Sequence, residues 1–114
     1  MKHDSLVFVR HILDAIESIE VFVSDVSEDI FYRDQKTQFS VFKALEIIGE
    51  ASKHLPPELK GKYSMIPWRV ITDARNVFVH EYFDIDLSEV WSTIKKDLPV
   101  LKKQIQEILN VGQD

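Results

Sequence analysis

An arginine, an asparagine, a histidine and a tyrosine crowd into one run, Arg75-Asn76-Val77-Phe78-Val79-His80-Glu81-Tyr82. An imidazole titrates near neutrality, so it can take a proton from a ribose 2′-hydroxyl or return one to a leaving 5′-oxygen. A guanidinium grips phosphate through two parallel hydrogen bonds and offsets the charge that develops there. Arg75 and His80 together are sufficient chemistry for RNA cleavage with no metal and no cofactor. By spacing alone the signal is weak, because an arginine a few residues before a histidine recurs by chance in many helices and a lone histidine is most often structural.

The run must be positioned by a helix. Stepping about 100° per residue, Val70, Ile71, Ala74, Val77 and Phe78 gather on one arc, the expected core side. Arg69, Asp73, Asn76 and His80 form a stripe at spacings of four, three and four, which makes Asp73 and Asn76 supporting candidates. Arg75 falls about 140° from His80, on the opposite flank. Between the flanks run Trp68, Thr72 and Val79, partly apolar where a monomer would carry charge. The expectation is that a second copy packs there, in a homodimer whose two-fold axis brings Arg75 and His80 of both chains together. One chain could aim both side chains at the same atom only if the helix unwound before His80.

The rest of the chain supplies that helix with neighbours. Leu6, Phe8, Val9, Ile12, Leu13, Ala15, Ile16, Ile19, Phe22 and Val23 fill a wide apolar arc of a first helix. Glu20 falls inside the arc, either pairing at an edge or serving a site. From Val26 to Thr37 a turn and a short helix capped by Ser27 are expected, then a central helix to about His54. Its Ala44, Gly49, Ala51 and Ser52 admit close neighbours. Its polar strip, Lys43, Glu46, Glu50 and Lys53, reads either as a solvated, ion-paired face or as the source of a carboxylate, Glu46 or Glu50, beside the arginine. Two carboxylates one turn apart also suggest a metal, but the lysines compete for them and no third ligand is evident, so none is expected.

Pro56-Pro57 ends the central helix, and the stretch through Gly61 to Met65 reads as an irregular connection before Ile66-Pro67-Trp68 opens the motif helix. Leu87, Val90, Trp91, Ile94, Leu98, Leu101, Ile105, Ile108 and Leu109 share one face of a last long helix. Pro99 lies opposite and should kink it outward at the Lys95 carbonyl. Lys95, Lys96, Lys102 and Lys103 form a basic cluster, either a solvated face or a contact for RNA or an acidic partner. No strand-period alternation appears. The expected fold is all-α, an antiparallel bundle of about four main helices with short extra helical turns.

With 114 residues, 45% of them hydrophobic and 29% charged, the chain has the balance of one globular domain spanning 1–114. It contains no cysteine, which excludes disulfides, thiolate zinc sites and cysteine nucleophiles and fits a reducing cytoplasm. The expectation is a cytoplasmic protein without a membrane span. A net charge of -5 repels nucleic acid overall, so RNA must be met by a local site.

The pattern Arg75-Asn76-x3-His80-x-Tyr82, preceded by Ile66-Pro67-Trp68 and followed by Asp86-Leu87-x2-Val90-Trp91 and Asp97-Leu98-Pro99, closely resembles the HepT-like family of HEPN-domain toxins. His11-Ile12-Leu13-Asp14-Ala15-Ile16, Lys36-Thr37-Gln38 and Leu45-Glu46-Ile47-Ile48-Gly49-Glu50-Ala51 match the same family, so the likeness covers nearly the whole chain. It implies a HEPN-like all-α homodimer with its cleft on the two-fold axis. It also implies a metal-independent endoribonuclease toxin with RNA as substrate, partnered by an MNT-type nucleotidyltransferase antitoxin. By the same resemblance Arg75 and His80 are catalytic, Asn76 supports them, and Tyr82 is the hydroxyl that receives AMP. Where many relatives carry glycine between the histidine and the tyrosine, this chain has Glu81, a carboxylate that weakens RNA binding or raises the histidine pKa. Two other readings compete: a non-catalytic helical binding subunit for a nucleotidyltransferase, and a purely structural helical dimer.

Overall fold

A computed structural model describes residues 3–80 and 82–112, and the side chains of all of these except 3–5 and 82. The elements are α1 (His3–Phe22), α2 (Glu28–Arg33), α3 (Gln35–Lys53), α4 (Pro57–Lys62), α5 (Trp68–His80), α6 (Leu87–Ser92) and α7 (Leu98–Gly112), with a 3-10 turn at Tyr82–Asp84 and a π turn at Thr93–Asp97. Among the described residues there is no strand. The bundle is layered: α1 packs between α7 and α3, and α3 carries α5 on its other side.

The core is aliphatic. Ile12, Ile16 and Ile19 of α1 meet Val41 and Ile48 of α3 and Ile105 and Ile108 of α7, all buried. A wide apolar arc on α1 is what lets one helix serve two neighbours. Phe31 of α2, fully buried, lies 5.3 Å from the Trp91 ring and anchors the short helices to α6. The buried Gln38 amide donates to the Phe31 carbonyl at 2.8 Å, satisfying the end of α2 from inside the core.

Helix starts follow local chemistry. Ser27 Oγ accepts from the Ile30 N–H at 3.2 Å, and Asp34 accepts from both the backbone N–H and the hydroxyl of Thr37. Asp86 accepts from the N–H and hydroxyl of Ser88 at 2.9 and 2.7 Å and opens α6. These bonds favour the ionised form and hold the Asp34 and Asp86 carboxyls below the usual range. Glu20 pairs at the edge of α1, both carboxylate oxygens accepting from Lys102 Nζ at 2.9 and 3.2 Å, so one lysine of the basic cluster ties α7 to α1.

One local expectation is corrected and another gains its local geometry. The stretch after Pro56 is not irregular throughout, because Pro57 sits in the first turn of α4, where its missing N–H costs no bond, and Leu59 is buried beneath it. The helix ahead of Pro99 answers with a wider turn. The Leu98 N–H bonds to the Thr93 carbonyl, five residues back, through the π segment 93–97. A proline at 99 cannot donate to the Lys95 carbonyl, and a π turn gives its ring room without ending the helix.

Candidate active site

The α3–α5 seam is closed by a glycine. A methyl group on Gly49 would stand 2.8 Å from Arg75 Cβ and 3.0 Å from the Ile71 carbonyl oxygen, closer than side chains pack. Nearby, Ser52 Oγ, fully buried, donates to the Gly49 carbonyl at 2.8 Å and lies 2.7 Å from Thr72 Oγ1, so the threonine donates across the seam. The Trp68 indole N–H reaches the Tyr63 carbonyl at 3.1 Å. Because the Ile71 carbonyl is backbone, Gly49→Ala must push the helices apart. Overpacking of this kind typically costs about 1–3 kcal/mol. Urea titration should show that loss with an unchanged slope.

The seam shifts the buried face of α5: Ile71 and Phe78 pack on the core as expected, with Ala74 partly buried, but other parts of the expected arc do not. Trp68 is only 7% exposed, and Thr72 and Val79 are partly covered, so much of the strip expected to face a second copy is already covered within the chain, with Thr72 meeting Ser52 of α3. Val70, expected in the core, is 69% exposed, and Val77 is exposed as well. The small residues of α3 accept the Thr72–Arg75 side of the helix, and the polar groups on that side find partners there.

Arg75 is half-buried in the seam. Its Nε faces Glu50 Oε2, and both atoms are sealed from solvent with no other hydrogen-bonding partner, so each compensates the other's charge. The remainder of both groups reaches solvent, with 31% of the arginine side chain and 42% of the glutamate exposed. Arg75 Nη1 donates to Asn76 Oδ1 at 3.4 Å. On its far side Glu50 Oε1 lies 3.4 Å from His54 Nε2, and the Phe8 ring stacks on His54 at 4.9 Å. His54 was not singled out from sequence. Its signal was the four-residue spacing from Glu50, which places both on one face of α3.

Of the two carboxylates considered for the arginine, Glu50 is the one beside it, whereas Glu46 pairs with Lys43 at 3.5 Å. Asp73 turns away to Arg69, 3.9 Å distant on a solvated face. His80 is exposed and makes no hydrogen bond or ion pair among the described residues. Helix α5 stays helical through His80, so its side chain leaves the axis about 140° from Arg75 and about 7.5 Å further along. The two are not brought together within one chain. Tyr82 opens the 3-10 turn directly after α5. Its side chain, and Glu81 altogether, lie outside the described residues.

The model of the ribonuclease HepT-like family matches residues 12–108, a span that includes α3, α5, Glu50, Arg75 and His80. The chain belongs to this family. This HepT-like chain is 41% identical over 108 residues to "Probable ribonuclease HepT" of Thermococcus cleftensis, across 95% of its own length and 98% of the relative's. It is 40% identical over 109 residues to a "Gamma-glutamylcyclotransferase and putative RNase" of Methanocaldococcus jannaschii. There it covers 96% of itself but 49% of the longer protein, so the HepT-like chain spans about half of that relative. No solved structure matches it. No helix among its described residues is long and apolar enough to cross a membrane.

Proposed function

We propose that the HepT-like chain, as one domain over residues 1–114, is a metal-independent endoribonuclease toxin that acts as a cytoplasmic homodimer and is neutralised by an MNT-type nucleotidyltransferase. The observation that carries the reading is the division of labour along α5. Arg75 is fixed by Glu50 at the α3 seam, while His80 lies exposed on the other flank. A cleft on a two-fold axis joins the Arg75 of one chain to the His80 of its mate, which the continuous helix denies to a single chain.

In that cleft His80 takes the proton of a ribose 2′-hydroxyl, and the freed oxygen attacks the adjacent phosphorus. The 5′-oxygen departs with a proton returned by the His80 imidazolium or supplied by water, and a 2′,3′-cyclic phosphate remains. Arg75 holds the non-bridging oxygens through its outer nitrogens, with Nε committed to Glu50, and Asn76 steadies Nη1. Imidazole and guanidinium supply proton transfer and charge stabilisation directly, so the scheme routes no step through a metal. The test is cleavage of a defined RNA by the purified protein with and without chelator, followed by analysis of the new ends. Cyclic phosphate ends at an undiminished rate in chelator are expected. Complete inhibition reversed by added metal defeats the proposal.

A further inference from the structure

A sizeable cavity lies away from Arg75 and His80. It is a groove of about 570 Å³ between α5 and the continuous stretch from α6 to α7, with Leu45 and Ile48 of α3 among the residues that line it. Met65, Val70, Val77 and Val100 form its lips, with Met65 and Val70 exposed at 68% and 69%. Aliphatic side chains held this open to water mark a surface that gains from being covered.

The charges around the groove are of one sign. Asp84, Asp86, Glu89 and Asp97 border it, and no lysine, arginine or histidine does so among the described residues. Among the described residues none of the four carboxylates is in an ion pair. Asp86 is held ionised by the hydroxyl and backbone N–H groups of α6. RNA is repelled by such a rim. A second copy seated groove to groove would set carboxylates against carboxylates, on a chain that already carries -5.

From the apolar floor and the unpaired acidic rim we infer that this groove docks a cationic amphipathic segment of a partner protein, its aliphatic side chains seated between α5 and α7 and its lysines or arginines on the carboxylates. The mode is that of an apolar helix face laid in a groove, with charge selecting the partner and speeding its approach. The inference stands apart from the ribonuclease reading, since neither Arg75 nor His80 takes part.

The experiment uses the full chain and a short fluorescein-labelled helical peptide of leucine and lysine, with a leucine–glutamate peptide of the same pattern as control. Anisotropy should report saturable binding of the lysine peptide that weakens with salt, and none of the glutamate peptide. The double substitution Val70→Asp with Val77→Asp, at exposed positions, should weaken binding at least about tenfold. Asp84→Asn, Glu89→Gln and Asp97→Asn combined should weaken it and flatten the salt dependence, and this set decides the matter should the valine variant not fold. Equal binding by wild type and both variants overturns the inference. So does sedimentation showing that the valine substitutions dissociate a self-associated form, which would make a second copy the occupant.

Discussion

His80→Ala is expected to lower RNA cleavage by about 10²–10⁴, the usual cost of losing a proton-transfer group, with the helical content and thermal midpoint unchanged. The fold is spared because His80 is exposed and its side chain has no hydrogen bond or ion pair among the described residues. Arg75→Ala should cost as much activity but also some stability, since it leaves Glu50 Oε2 sealed without its partner. Arg75→Lys serves as its companion: a lysine restores charge but not the two-pronged grip, so activity should stay low while the midpoint recovers. Mixing the two alanine variants separates a shared site from one built in a single chain. If Arg75 and His80 act from different chains, subunit exchange gives one intact site per mixed dimer and roughly a quarter of wild-type activity. If the mixture stays silent, the composite site is wrong. Full activity in His80→Ala sinks the assignment altogether.

Tyr82→Phe is expected to abolish AMP transfer to this chain by an MNT-type nucleotidyltransferase with ATP and magnesium, an all-or-none change read by intact mass. The phenolic oxygen attacks the α-phosphorus of ATP, pyrophosphate leaves, and the phenolic proton passes to solvent. The chain has three tyrosines, and the other two are poor acceptors. Tyr32 donates to the Glu28 carboxylate, which pushes its phenol up to about 12, and Tyr63 is buried. The added phosphate and adenosine would stand two residues from His80 and repel RNA by charge and bulk. Labelling of the phenylalanine variant at the wild-type level would remove Tyr82 from the scheme.

Where residues interact with their own sequence neighbours, the chain could be read in advance. Ser27 as a cap, the wide arc of α1 and the stop at Pro56 all rest on interactions local in sequence or on simple periodicity. The face that α5 buries was only partly legible, Ile71 and Phe78 packing inward but Val70 and Val77 lying exposed, because apolar residues occupy much of its wheel. The choice among faces is made by α3, whose Gly49 and Ser52 receive the Thr72–Arg75 side. That is tertiary complementarity, invisible to a helical wheel. The same blindness hid His54, which matters only once Glu50 is seen to face Arg75. The proposed pair, Arg75 and His80, and its division between two flanks were legible from the family resemblance and the helical wheel, whereas only the structure shows the helix running unbroken to His80.

The missing methyl at Gly49 has a thermodynamic meaning for the arginine opposite it. With Arg75 Cβ against the glycine and Nε against Glu50, the side chain is fixed at its root and near its end before any phosphate arrives. A free arginine surrenders up to about 1.5–2 kcal/mol of rotamer freedom when it is immobilised. Here most of that loss falls at folding, so in the proposed mechanism the outer nitrogens would meet phosphate already ordered, leaving more of the contact energy for the transition state.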